Sequence, residues 1–256
     1  MAKVKTLMLH GPGTNCDLET RVAYEEAGAE VESTLVSGLI RGEKRLDDYQ
    51  ILVIPGGFTY GDDISAGKIM ANEIKLGLGG DIRKFVADGK LVMGVCNGFQ
   101  VLVKTGILPG LDGYGSQPIT LTNNDSGKFE CRWIYLKVNE ESPCVFTRGM
   151  HSLYIPVNHG EGKLVAEPAV LDKLNVVVYY ADENGNTDAG YPCNPNGSLR
   201  NIAGICDNSV RIFALMPHPE RFIRWTQHPR WTRETPRNVG DGLQIFLNAV
   251  AWAKGI

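Results

Sequence analysis

Between residues 4 and 106, short apolar runs alternate with stretches of helical periodicity. That alternation restricts the fold more than any other feature of the chain. VKTLML (4–9), EVESTLV (30–36), ILVI (51–54) and LVMGV (91–95) read as strands. DLETRVAYEEAG (17–28) reads as a helix with acids in its first turn and Gly28 as its stop. A long helical region spans about 67–88 and ends at Gly89, and NGFQVLVKTG (97–106) is a helix stopped by Gly106 and Pro109. Strands separated by helices predict an α/β fold built on a parallel sheet with helices on both faces.

The texture changes from 116 to about 215. ITLTNN, KFECRWIYLKV, NVVVYYADENG and RNIAGICDNSVRIFAL are strand-like, with turn residues between them. This half is expected to be mainly antiparallel and to continue or flank the parallel sheet. Residues 238–254 carry apolar positions at helical spacing and predict a closing helix. No internal repeat, low-complexity segment or linker interrupts the 256 residues, so a single domain over 1–256 is expected. No run of about 18 apolar residues occurs, which excludes a membrane-spanning helix. The start, MAKVKTLMLHGPG, lacks the pattern of a secretory leader. A net charge of −3 gives no bulk reason to bind nucleic acid or an anionic membrane.

Six cysteines lie at 16, 96, 131, 144, 193 and 206, with no C-x-x-C pair and no zinc-finger spacing. Disulfides are therefore not expected, and a reducing cytoplasm is the natural compartment. Five of the six need only the reading of a small buried side chain. Cys96 is different. It follows LVMGV and opens a helix within Gly94-Val95-Cys96-Asn97-Gly98, the frame of a nucleophile elbow. Such a turn presents the sulfur at the sheet edge beside a helix N-terminus, which favours the thiolate. It also leaves the Asn97 N–H free for an oxyanion. By itself the pentapeptide fits a buried packing cysteine equally well.

A nucleophilic cysteine needs a base and an orienter. Of the five histidines, His218 in MPHPER follows the apolar strand RIFAL, so it sits at a strand's carboxyl end, where α/β sheets collect ligands. Glu220, two residues on, points the same way if the segment is extended. A carboxylate behind an imidazole fixes its tautomer and stabilises the imidazolium. Pro55-Gly56-Gly57-Phe58 follows ILVI and places glycine N–H groups at the same edge. It is not a phosphate loop. Asp62 stands where Walker A needs its first glycine, and Ile69 where it needs Ser or Thr.

PGG after one strand, G-x-C-x-G after the next and a late H-x-E together resemble the class I, triad-type glutamine amidotransferases. PGTNCD (12–17), GGFTYGDDISAG (56–67), GVCNGFQVL (94–102), FECRW (129–133), HGEGK (159–163), NPNGSLRNIAGICD (194–207) and MPHPER (216–221) come in the expected order. They resemble, more narrowly, the glutaminase components of phosphoribosylformylglycinamidine synthase. The resemblance implies a flavodoxin-like, doubly wound, mostly parallel sheet with added antiparallel strands in the second half. It implies Cys96 as nucleophile, His218 and Glu220 completing the triad, and Gly57 and Asn97 as oxyanion donors. Gln100 resembles the residue that contacts the glutamine substrate. His159, Gly160 and Glu161 look like the stretch that holds its amino-acid end, with His159 a pocket or structural residue and not a second base.

What the resemblance implies for function is glutamine hydrolysis through a cysteine thioester, in service of de novo purine biosynthesis. The ammonia goes to a separate synthetase subunit that uses ATP and Mg to aminate formylglycinamide ribonucleotide, with a small bridging subunit between the two. No metal, nucleotide or other cofactor is expected in this chain, nor any nucleic-acid or membrane partner. Residues 222–238, FIRWTQHPRWTRETPRN, extend beyond the simpler bacterial form, and five arginines lie between 221 and 237. They read either as a nucleic-acid or phosphate surface or, preferably, as a loop packed near the site's edge or against a partner. Two rivals differ in class: a cysteine hydrolase or stress protein on the same scaffold, and a non-catalytic interaction subunit.

Overall fold

The computed structural model describes residues 3–256; Met1 and Ala2, part of the stretch read as lacking a leader, lie outside the described residues. The first half comprises strands β1 (Lys5–His10), β2 (Glu30–Leu35), β3 (Ile51–Ile54) and β4 (Leu91–Val95). It also holds helices α1 (Asp17–Glu26), α2 (Val36–Ile40), α3 (Lys68–Gly77), α4 (Gly79–Ala87) and α5 (Asn97–Thr105). The second half adds β5 (Ile119–Thr122), β6 (Glu130–Val138), β7 (Ser152–His159), β8 (Lys163–Ala166), β9 (Asn175–Ala181), β10 (Ile202–Cys206) and β11 (Ile212–Leu215). Its helices are α6 (Pro168–Leu171) and α7 (Leu243–Ala253).

One nine-stranded sheet runs β2-β1-β3-β4-β11-β10-β9-β6-β7, and β5 pairs with β8 in a small separate ribbon. The pairs from β2 through to β11 are parallel, and those from β11 to β7 are antiparallel. The doubly wound sheet with added antiparallel strands is therefore as expected, with one change. β11, at the end of the region read as antiparallel, runs parallel to β4 and brings the segment after it next to Cys96. The chain order reverses at β1, and with right-handed crossovers that reversal puts α1 on one face and α3 to α5 on the other. The crevice at the carboxyl ends of the central strands is where such sheets bind ligands.

β3, β4, β10 and β11 are buried at every residue, as fits continuous apolar runs covered on both faces. α1 meets α7 over this core, with the Tyr24 and Phe246 rings edge to face at 4.9 Å. Other departures have local causes. The helical region 67–88 is two helices, because Leu78 leaves helical dihedrals (φ −132°, ψ −1°) amid Gly77, Gly79 and Gly80. β2 stops at Leu35 and Val36 already begins α2; the closing helix begins at Leu243, not 238. Strands β7 and β8 were not read from the sequence. Pro156 interrupts the β7 pattern, yet β7 is the outer strand of the sheet, where a missing N–H is tolerated.

Gly98 shows how tightly α5 is seated. A Cβ there would lie 1.9 Å from the Ile54 carbonyl oxygen of β3. Gly98→Ala is expected to destabilise the fold by about 2 kcal/mol or more, a Tm drop of roughly 4–8 °C. An unchanged melting curve would show that α5 does not need this approach.

Candidate active site

Four strand ends converge on one place. Cys96 follows β4 and caps α5 with φ 51° and ψ −106°, a backbone state rarely adopted by a residue with a side chain. The flanking glycines make the turn possible: a Cβ at Gly94 would lie 2.8 Å from the Gly98 backbone. Cys96 is 5% exposed, its Sγ lies 3.6 Å from the Asn158 carbonyl oxygen of β7, and it lines a cavity of about 440 Å³. It is the elbow geometry expected from the sequence.

His218 follows β11, and its backbone N–H donates to the Pro156 carbonyl (2.8 Å). Its ring Nδ1 meets Glu220 Oε1 at 2.7 Å, with both side chains almost fully buried. Burial works against charge on this imidazole, but the Glu220 carboxylate and then the Cys96 sulfur outweigh it and hold its pKa well above 6.5. Nε2, the ring nitrogen left over, has no hydrogen-bond partner among the described residues, nor has Glu220 Oε2. Gly56 separates imidazole and nucleophile: a Cβ there would lie 2.8 Å from His218 Cε1 and 3.4 Å from Cys96 Cβ. Only a glycine lets both reach the same point.

Gly57 has φ 149° and is pressed against the loop after β1, where a Cβ would lie 2.7 Å from the Asn15 nitrogen. Among the described residues, neither the Gly57 nor the Asn97 N–H donates to a backbone or side-chain acceptor. Asn97 is the first residue of α5, whose N–H has no partner within the helix. Two unused donors therefore flank the sulfur.

The remaining predicted residues line the same cavity but are more occupied than expected. Gln100 is 4% exposed; its Nε2 donates to the Glu161 carbonyl (2.5 Å) and its Oε1 accepts from Asn97 Nδ2 (3.0 Å). It ties α5 to the HGEG loop. His159 is buried, with Nδ1 3.1 Å from Asn124 Oδ1 and Nε2 3.5 Å from Asn196 Nδ2. Burial first, and then the nearby His218, push its pKa down to about 3, so it is a neutral strut. Asn196 Nδ2 also donates to the Gly162 carbonyl (2.9 Å), and Asn124 N–H to the Gly160 carbonyl (2.9 Å). The NPNGS block thus holds the HGEG block in shape.

Sequence reasoning missed Asp62, Asn158 and Lys104. Asp62 lines the cavity and accepts from Asn97 Nδ2 (3.2 Å); burial and then Glu161 raise its pKa to about 6, against the pull of Lys104. Lys104 is buried and donates to Ser65 Oγ (2.8 Å) and to the Ala66 carbonyl. Tyr60, Asp62 and Ile64 all take positive φ in the GGFTYGDDISAG block, a backbone shape that the sequence, where Asp62 stands out only as a departure from Walker A, does not announce. Of the 222–238 segment, the part up to His228 packs on its own chain, whereas residues 229–238 are exposed but tied down by contacts within the chain. Trp225 stacks on His228 (4.7 Å) and Arg237 lies over Trp225 (4.9 Å). Arg221, Arg224, Arg230 and Arg237 pair with Glu19, Glu26, Glu234 and Asp241, so four of the five arginines are neutralised within the chain. That favours the packed-loop reading over a nucleic-acid surface. Cys16, His218 and Glu220 are the one group of metal-ligating atoms that cluster among the described residues, but His218 and Glu220 already engage each other there.

This fold and sulfur–imidazole–carboxylate arrangement fit an amidotransferase. A family model described as a CobB/CobQ-like glutamine amidotransferase domain matches residues 3–253. The chain is 58% identical over 256 residues to the phosphoribosylformylglycinamidine synthase subunit PurQ of Dehalococcoides mccartyi, covering 100% of both. It is 42% identical over 265 residues to the protein of that name from Methanococcus maripaludis, covering 97% of each. A chain in the structure of PurLQS from Thermotoga maritima superposes with a TM-score of 0.73 at 32% identity, covering 98% of this chain and 99% of that one. The chain belongs to the glutamine amidotransferases and, within them, to the PurQ family.

The state of His159 can be read directly. In the unfolded chain its ring protonates near 6.5, whereas in the folded protein it stays neutral down to about 3. This site therefore leaves stability untouched above 6.5 and withdraws it as the pH falls from 6.5 towards 3. An NMR titration should show a neutral His159 ring at pH 5; a midpoint near 6.5 would contradict the buried strut.

Proposed function

We propose that this chain hydrolyses the side-chain amide of glutamine and delivers the ammonia to a separate synthetase, as the glutaminase subunit of phosphoribosylformylglycinamidine synthase. The observation that carries the reading is Cys96, held in the elbow at the cavity wall with the buried His218–Glu220 pair behind Gly56. Cys96 thiolate attacks the carboxamide carbon, and the carbonyl electron pair moves onto oxygen. The Gly57 and Asn97 N–H groups receive that oxyanion; one such donor is worth about 3 kcal/mol of barrier. His218, in its imidazolium form stabilised by Glu220, protonates the nitrogen as the carbon–nitrogen bond breaks. Ammonia leaves and a glutamyl thioester remains on Cys96. The imidazole then takes a proton from water, which attacks the thioester and releases glutamate.

The cavity wall suits an amino acid. Asp62 and Glu161 offer negative charge for its ammonium group, and Gln100, Gly160 and the backbone beside His159 complete the pocket. ATP and Mg belong to the synthetase, which aminates formylglycinamide ribonucleotide in de novo purine biosynthesis, with a small bridging subunit joining the two. A single amidotransferase domain spanning 1–256 performs the glutaminase half. The free thiols suit a reducing cytoplasm. Neither rival, the cysteine hydrolase or the non-catalytic subunit, is favoured by any feature of the site.

With the synthetase subunit present, Cys96→Ala is expected to abolish product formation from glutamine while free ammonia still serves as donor. Glu220→Gln should lower the glutamine-dependent kcat by roughly 10⁴-fold, since it leaves the imidazole in the wrong tautomer. Glutamine-dependent synthesis surviving Cys96→Ala would overturn the assignment.

A further inference from the structure

Cys16 lies beside the His218–Glu220 pair, and the mechanism does not use it. It is 1% exposed and caps α1. Its N–H donates to the Gly56 carbonyl (3.2 Å) and its carbonyl accepts from Thr20 Oγ1 (2.6 Å), so its place beside the catalytic turn is fixed from both sides. The sulfur lies within 4.8 Å of a His218 ring nitrogen and of a Glu220 carboxylate oxygen. A Cβ on Gly56 would sit 3.2 Å from it. Its thiol hydrogen points to Asn15 Oδ1 (3.4 Å), which leaves its lone pairs for a donor. That donor is Arg221 Nη2, at 3.1 Å.

Arg221 follows Glu220 directly in the chain, and Glu220 Oε2 is buried with no hydrogen-bond partner. A guanidinium one residue from a bare buried carboxylate oxygen has a strong reason to pair with it. It does not. Its Nη2 is on the Cys16 sulfur and its Nε is 3.5 Å from Glu19 Oε1. The start of α1 therefore draws Arg221 aside. We infer that Cys16, with Glu19, is a positioning residue that keeps the Arg221 guanidinium off Glu220, so that the whole carboxylate charge faces His218. The inference rests on the proposed triad chemistry.

The electrostatics around His218 bear on this. Glu220 faces it from its own turn, Cys16 from the start of α1, Cys96 from the β4–α5 turn and His159 from β7, while Arg221 and Glu19 bear on it through Glu220 and Cys16. If Arg221 swings onto Glu220, the carboxylate is neutralised and the imidazolium loses its main support. The acid that protonates departing ammonia would then be lost at lower pH.

The test uses the complex with the synthetase subunit, measuring glutamine-dependent and ammonia-dependent rates across pH. Cys16→Ala is expected to lower the glutamine-dependent kcat about tenfold, less than the roughly 10⁴-fold loss of a disabled triad carboxylate. The alkaline limb of its profile should move down by roughly one pH unit, as one added cation beside the carboxylate requires. The ammonia-dependent rate should not change. Cys16→Ser, whose hydroxyl can still accept from the guanidinium, should recover most of the rate. Cys16→Ala combined with Arg221→Gln should run faster than Cys16→Ala alone, because no guanidinium remains to swing. A purely packing role predicts no such recovery and no shifted limb, and that result overturns the inference. So does a Cys16→Ala enzyme as fast as wild type. If Cys16→Ala does not fold, Glu19→Gln decides: it should move the limb the same way by less, and an unmoved limb overturns the inference. Wild-type enzyme inert towards glutamine would instead refute the proposed function itself.

Discussion

A cysteine backbone held at φ 51° is the constraint on which the site depends. Such a conformation costs on the order of 1–3 kcal/mol and persists only where its surroundings leave no alternative. Here the surroundings are the buried strands β3 and β4 and the α5 helix pressed against them through Gly94 and Gly98. Relaxing the turn would pull the sulfur from the cavity wall and turn the Asn97 N–H away from it. The parallel half of the sheet thus holds one sulfur in place.

The charged half of the site comes from the end of the chain. β11 lies beside β4 in parallel, and this pairing places His218 and Glu220 at the same edge as Cys96. A buried pair of this kind is costly unless each group satisfies the other. Glu220 outweighs the burial of His218, whereas His159, buried among amides of Asn124 and Asn196, has no carboxylate and stays neutral. Two histidines at one cavity are therefore driven in opposite directions by their partners. Because His218 has a raised pKa, its proton stabilises the fold at low pH, and that contribution is lost as the pH rises through its folded value.

Much of this was legible in the sequence because it rests on local pattern. ILVI and LVMGV announce buried strands, G-x-C-x-G announces a turn that needs glycine, and H-P-E after an apolar strand, which alone reads as well as a surface turn, gains a paired imidazole only beside that elbow. What escaped depends on pairing at a distance. The direction of β11 is set by its neighbour β4, and β7 is allowed its Pro156 only because it is the outer strand. Asp62 becomes notable only when burial and Glu161 act on it together. Cys16 looked like a packing residue, and it is buried. Its significance comes from Arg221, 205 positions away in sequence and 3.1 Å away in space.

The account stands or falls on a covalent bond between Cys96 and the substrate. The assembled complex can be acid-quenched during turnover of isotopically labelled glutamine, and its peptides then analysed by mass spectrometry. A glutamyl thioester on the peptide containing Cys96, absent when ammonia replaces glutamine, is the predicted result. Steady turnover with the label on another residue, or on none, would contradict it.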